Sequence, residues 1–210
     1  MGKWTNLLSR GTAASSEQDR RNSMTRQISG MTRRGLLGAF AATTVAAAPL
    51  TKAFAYTRGA GDIRSIRMYS GRTGESINTI YWIEGEYIQE AVDEITHFMR
   101  DWRNGKTMPI DTRTIDIITA AHRLMDTDEP YMLLSGYRSP ETNAMLRARS
   151  RGVAKNSRHM QGQAADLRLN SRSVNQIYKA ATACRAGGVG KYSRSDFVHM
   201  DCGPVRTWGS

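Results

Sequence analysis

The alternation of apolar and polar positions changes several times along the chain, and each change predicts an element. In residues 1–30 the apolar positions are scattered among Ser, Arg and Thr without a period, which predicts a disordered extension with nothing to bury. From Thr32-Arg33-Arg34-Gly35-Leu36-Leu37 the chain enters a run of mostly Ala, Val, Leu and Phe that closes on Ala53-Phe54-Ala55. Paired arginines, a modest apolar stretch and an Ala-x-Ala end predict a Tat export signal at residues 31–55, cleaved after Ala55. The run is too short and alanine-rich to predict a transmembrane span, the alternative being an uncleaved anchor, and no stable span is expected once the signal is removed. Strict alternation begins at residues 63–69, a Ser-Gly-Arg-Thr-Gly turn occupies 70–74, and residues 77–83 return, so a hairpin is expected. Apolar positions 87, 88, 91, 92, 95, 98, 99 and 102 then predict one amphipathic helix over residues 86–103, ended by Asn104-Gly105. Residues 111–125 make a second helix, with Asp111 as N-cap and Ile115, Ile118, Ala121 and Leu124 on one face.

Beyond Asp128-Glu129-Pro130 the apolar run Tyr131-Met132-Leu133-Leu134-Ser135 predicts a short buried strand. Pro140 starts a helix that lasts to about residue 150, because proline suits the first helical position. A polar loop covers 151–158, a strand covers 165–169, and a helix covers 174–185 before Gly187-Gly188 stops it. Short strands follow at 189–192 and 197–200. This order predicts an α+β domain in residues 56–210, built on a small, mostly antiparallel sheet with flanking helices.

Charge changes the picture less than the total suggests. The formal charge is +11, but residues 1–55 carry eight Lys/Arg against two Asp/Glu, leaving 22 basic and 17 acidic residues, or +5, for the rest. Basic and aromatic residues do not interleave as a stacking groove would require, so no nucleic-acid partner is expected. Two cysteines, Cys184 and Cys202, are too few for a disulfide framework; they either form one bridge or act as small buried hydrophobes.

The candidate chemistry lies in Ser157-Arg158-His159-Met160-Gln161-Gly162-Gln163-Ala164-Ala165-Asp166, with His199 forty positions after His159. Two imidazoles and a carboxylate suit a tetrahedral zinc ion whose fourth position stays open for chemistry. Gly162 allows a sharp turn, and Ala164 and Ala165 allow close sheet approach. A hydrolytic site also needs a general base, and Asp196 and Asp201 both flank His199. In an extended strand His199 and Asp201 share a face while Met200 and Cys202 take the other, so Cys202 is not expected to be a ligand. Parity leans towards Asp201, with the alternative that Asp201 orients an imidazole. His97 and His122, on the two predicted helices, are expected to be surface or packing residues.

Ser135-Gly136-Tyr137-Arg138-Ser139, then Ser157-x-His159-x-x-Gly162-x-Ala164-x-Asp166, then Phe197-Val198-His199-x-Asp201-x-Gly203 with Arg206 and Trp208, resembles the zinc D-alanyl-D-alanine peptidases. The nearest likeness is to the YcbK-like murein endopeptidase branch, related to the LAS group and the hedgehog zinc domain. The resemblance covers about residues 60–208. It implies zinc held by His159, Asp166 and His199, hydrolysis of peptide bonds in peptidoglycan stems or crosslinks, and action in the periplasm or cell envelope. It matches Asp196 to a carboxylate three residues before the last histidine and Asp201 to a His-x-Asp form, with Asp201 slightly ahead as base. Arg138 is implied to grip a substrate carboxylate or polarise the scissile carbonyl, and Ser157 stands beside it as a candidate substrate contact. The rival expectation is a non-catalytic, zinc-containing module that binds cell wall.

Overall fold

The computed structural model describes residues 62–150 and 152–209, so the predicted extension and export signal lie outside the described residues. The hairpin forms as expected. β1 (Ile63–Tyr69) pairs antiparallel with β2 (Ser76–Ile83), and the Ser70 hydroxyl accepts from the amides of Arg72 and Thr73 inside the turn. A two-residue strand, β3 (Glu86–Tyr87), extends the hairpin before α1 (Gln89–Phe98) begins.

The predicted helix over 86–103 is therefore shorter at both ends, and tertiary contacts explain each loss. At its start, the Tyr87 hydroxyl donates to Asp116 at 2.7 Å and its ring meets Trp82 edge-on at 4.6 Å, which holds residues 86–87 in the sheet. At its end, the Asp101 carboxylate accepts from the amides of Arg103 and Ser139, so the chain turns although Met99 and Trp102 continue the apolar stripe.

In α2 (Thr112–Arg123), Asp111 caps the first turn by accepting from the Arg113 amide. Every residue from 114 to 121 is buried, including Asp116, whose carboxylate accepts from Arg64 at 2.8 Å and from the Tyr81 and Tyr87 hydroxyls. Three donors make this buried charge tolerable. Next come β4 (Tyr131–Ser135), α3 (Pro140–Arg149) capped by Ser139, β5 (Ala164–Arg168), α4 (Val174–Ala183) with a Ser173–Gln176 capping box, β6 (Gly188–Tyr192), β7 (Phe197–Asp201) and β8 (Arg206–Gly209).

The α+β class holds, but the sheet is larger and more mixed than expected. Among the described residues it has eight strands in the order β3-β2-β1-β4-β5-β7-β6-β8. The β1–β4 and β6–β8 pairings are parallel and the others antiparallel. Strand alternation gives the sheet two chemical faces. Ala165, Leu167, Val198, Met200 and Val189 enter the core against α2 and α4. Asp166, His199 and Asp201 lie on the opposite face.

Candidate metal centre and active site

His159 lies in a 3-10 turn, Arg158–Gln161, that ends on Gly162 in the left-handed region at φ 65°. A Cβ at Gly162 would stand 2.2 Å from the Pro109 carbonyl oxygen, so both the backbone conformation and the space require glycine. The loop after β4 fixes the histidine twice. The Arg138 amide donates to the His159 carbonyl at 3.1 Å, and His159 Nδ1 lies 2.7 Å from the Gly136 carbonyl oxygen. A carbonyl only accepts, so Nδ1 carries the proton and the Nε2 lone pair is aimed inward.

Asp166 and His199 are register partners on β5 and β7, which sets their side chains next to each other on one face. His199 Nδ1 lies 2.9 Å from Asp166 Oδ1 and 3.2 Å from His159 Nε2, and His159 Nε2 is 3.3 Å from Asp166 Oδ1. A tetrahedral ion with bonds of about 2.0–2.1 Å sets its ligands about 3.3 Å apart. The three atoms therefore already stand close to the edge lengths that zinc requires, and two nitrogens with one carboxylate oxygen are a suitable donor set. This is the grouping of metal-ligand type found among the described residues.

The groups around the triad fix its charge states. Burial pushes the His159 pKa down, against the pull of Asp166. Burial works the same way on His199, but hydrogen bonds with Asp166 and Asp201 outweigh it and raise that imidazole to about 9. Burial would raise Asp166, but the charge and hydrogen bonds of the two histidines hold its carboxyl well below the usual range. Its second oxygen faces Arg138 Nη2 at 3.4 Å, and the same guanidinium reaches Ser135 and Asn143. Arg138 thus pairs with a candidate ligand while also lining the cleft.

The two candidate bases sit very differently. As strand parity predicted, Asp201 shares the face of His199, and His199 Nε2 donates to its Oδ2 at 3.1 Å. Its side chain is fully buried, and Arg206 donates to both of its oxygens, at 3.1 and 2.7 Å, while the Gly203 amide donates at 2.8 Å. These donors hold the Asp201 carboxyl low although burial opposes them. Asp196 stands in the left-handed turn before β7, 65 % exposed, with Arg168 Nη1 at 3.5 Å. Arg168 is two residues beyond Asp166 on β5, and Asp196 directly precedes β7, three residues before His199.

The triad opens into a cleft of about 1010 Å³, lined among others by Arg138, Ser157, Arg158, Tyr192, Arg206 and Trp208. Ser157 is buried at its floor, and its carbonyl accepts from the Met160 amide. Sequence reasoning gave no role to Trp208 or to the Gly136 carbonyl. The Trp208 ring lies 5.3 Å from His199 and donates from Nε1 to the Tyr192 hydroxyl at 3.0 Å. It covers Gly190, where a Cβ would stand 2.6 Å from the indole, a pairing set by the β6–β8 register that spacing along the chain does not announce. His122 packs edge-on against Tyr131 and bonds the Glu129 carbonyl, and His97 lies on α1; neither joins the triad. Cys184 and Cys202 are both buried and not bridged to each other, and the Cys184 thiol donates to the Ala180 carbonyl at 3.4 Å, so the expectation of small buried residues is the one that holds.

Two imidazole nitrogens and a carboxylate oxygen, set at metal spacing on the floor of an open cleft, define a site of metallopeptidase type. The chain belongs to the family described as Peptidoglycan L,D-endopeptidase MepK, which it matches over residues 58–208. It is 44% identical over 176 residues to the Peptidoglycan L,D-endopeptidase MepK of Escherichia coli (strain K12), a match covering 84% of this chain and 96% of that protein. A probable peptidoglycan L,D-endopeptidase MepK of Haemophilus influenzae is 35% identical over 137 residues, 65% of this chain and 74% of its own length. The Zinc D-Ala-D-Ala carboxypeptidase of Streptomyces albus G is 28% identical over 145 residues, 64% of this chain and 55% of its own length. The chain is a peptidase of a peptidoglycan-directed family, as the sequence motifs led one to expect.

Proposed function

We propose that this chain is a zinc-dependent L,D-endopeptidase that cuts peptide crosslinks of peptidoglycan and so remodels the cell wall. The observation that carries the reading is the triangle of His159 Nε2, Asp166 Oδ1 and His199 Nδ1, with edges of 2.9–3.3 Å at the base of the cleft. The L,D bond and the zinc come from the relatives' names, and the donor set supports a metal such as zinc. Zinc held by these residues would supply Lewis acidity at the scissile carbonyl and lower the pKa of water beside it. Gly136 holds His159 in its tautomer, and Asp201 holds His199 from behind, the usual arrangement of a carboxylate orienting a ligand imidazole. We assign the general base to Asp196 and the orienting role to Asp201. The oxygens of Asp201 already accept from His199, Arg206 and Gly203, whereas Asp196 is exposed just before β7, between the cleft-lining Ser195 and Phe197. Asp196 accepts a proton from the attacking water and returns it to the leaving amine. Arg138 offers positive charge to the carbonyl oxygen or a substrate carboxylate, and Ser157 contributes to the cleft floor.

Such a substrate lies outside the cytoplasm, which fits residues 31–55 as a Tat signal and 56–210 as the mature periplasmic or envelope enzyme. No helix among the described residues is long and apolar enough to cross a membrane. Digestion of purified crosslinked peptidoglycan, resolved by chromatography and mass spectrometry, tests the reading. New stem-peptide fragments that vanish with a chelator and in His159→Ala are expected. Protein that binds the wall but releases nothing would replace the enzyme with a binding module.

A further inference from the structure

Arg158 is a guanidinium held in place with its charge largely unmatched. It lines the cleft beside the triad, and its side chain is only 30 % exposed. Its firm hydrogen bond, from Nη1 at 2.8 Å, goes to the neutral amide oxygen of Gln163. The nearest carboxylate, Asp201, lies 3.4 Å from Nε and is already gripped at both oxygens by Arg206. One negative charge is thus shared by two guanidiniums, and the shorter contacts belong to Arg206. Gly203 provides the seat: a Cβ there would stand 2.3 Å from Arg158 Cζ, so only a bare backbone lets the guanidinium lie against it. Covering a cation without a matched anion is costly, and an anionic ligand removes that cost.

The sheet order gives this charge a direction. Arg138 follows β4 on one side of the triad, whereas Arg158 and Arg206 gather around Asp201 on the β6–β8 side. A peptide lying across the strands meets cationic groups on both sides of the scissile bond. An arginine fork recognises a carboxylate far better than the neutral amide of the same shape.

We propose that Arg158 is a specificity residue forming a carboxylate subsite, which takes a free carboxylate of the wall peptide adjacent to the scissile bond and so favours crosslinks whose acid is not amidated. This rests on the endopeptidase reading above. The test is a pair of synthetic crosslinked peptides, one with the free acid next to the scissile bond and one with the primary amide there, given to the zinc-loaded wild-type protein, Arg158→Gln and Arg158→Lys. A preference for the acid of about ten- to hundredfold in kcat/KM is expected for wild type. It should fall to within about threefold in Arg158→Gln and be partly kept in Arg158→Lys. The same peptides titrated calorimetrically into His159→Ala should show the same preference as a difference in Kd. Equal cleavage of acid and amide by wild type, or a preference that survives in Arg158→Gln, overturns the subsite and leaves the peptidase standing. If wild type cleaves neither peptide, the endopeptidase reading fails; equal Kd values in the titration would then overturn the subsite as well.

Discussion

Exchanging each flanking aspartate for asparagine separates the two roles assigned to them. In Asp201→Asn the shape is kept, but one acceptor oxygen becomes an amide that faces donors. The bonds at risk are those from His199 Nε2 at 3.1 Å and from Arg206 at 3.1 and 2.7 Å. Loss of a carboxylate behind a ligand imidazole costs about 10–100-fold in metal affinity, or about 1.4–2.7 kcal/mol. Arg206 adds little to this, since its side chain is 43 % exposed and can turn to water. Asp196→Asn alters a carboxylate whose contact is with Arg168 rather than with the triad. Zinc affinity should therefore stay at the wild-type value while kcat falls about 10²–10⁴-fold, the usual effect of losing a general base. Competition with a fluorescent chelator reads the affinity, and hydrolysis at saturating zinc reads kcat. The reasoning is refuted by the reverse pattern, in which Asp201→Asn binds zinc normally with kcat collapsed and Asp196→Asn remains active.

Other consequences follow from packing and charge. Gly190→Ala puts a Cβ 2.6 Å from the Trp208 indole, so a loss of about 1–3 kcal/mol and a shift in tryptophan emission are expected, and an unchanged spectrum would count against the placement of that ring. Gly162→Ala meets both the φ of 65° and the Pro109 carbonyl, and should lower the melting temperature and zinc stoichiometry together. In chelator-treated protein the His199 contribution to stability is complete below its unfolded value of 6.5 and is lost as pH rises through about 9. Asp101 works at the acid end. Burial would raise its carboxyl, but hydrogen bonds from Thr142 and the Ser139 amide hold it low, so its contribution is present above about 3.9 and lost on acidification. Urea denaturation across this range should give a broad optimum between the two limits; stability that climbs above pH 9 would contradict the His199 assignment. Finally, Cys184 and Cys202 should both alkylate after denaturation without reductant, and reductant should leave the melting temperature unchanged.

What the sequence made legible was local. The hairpin, the Asp111 cap, the Pro140 helix start and the shared face of His199 and Asp201 all follow from period, cap and parity, which need no distant partner. The triad was readable because His159 and Asp166 stand on one turn-and-strand unit, and β5–β7 register supplies His199. What escaped was set by distant pairing. β8 is an edge strand that exists through its parallel match to β6, and the short chain end after Pro204 shows no alternation to announce it. β3 was absorbed into a helical stripe because Tyr87 and Ile88 fit both patterns, and Asp116, 29 residues on from Tyr87, decides between them. The crowding of Arg206 and Arg158 on Asp201 likewise depends on two loops meeting, which spacing cannot reveal.

The most direct test of the central claim joins metal content to catalysis. Chelator-stripped protein is titrated with zinc while hydrolysis of a synthetic L,D-crosslinked peptide is followed, beside His159→Ala, Asp166→Ala and His199→Ala. One zinc per chain restoring full activity to wild type, with folded variants that neither hold zinc tightly nor cleave, is the predicted result. Cleavage by the stripped protein, or by any of the three variants at the wild-type rate, would contradict the site.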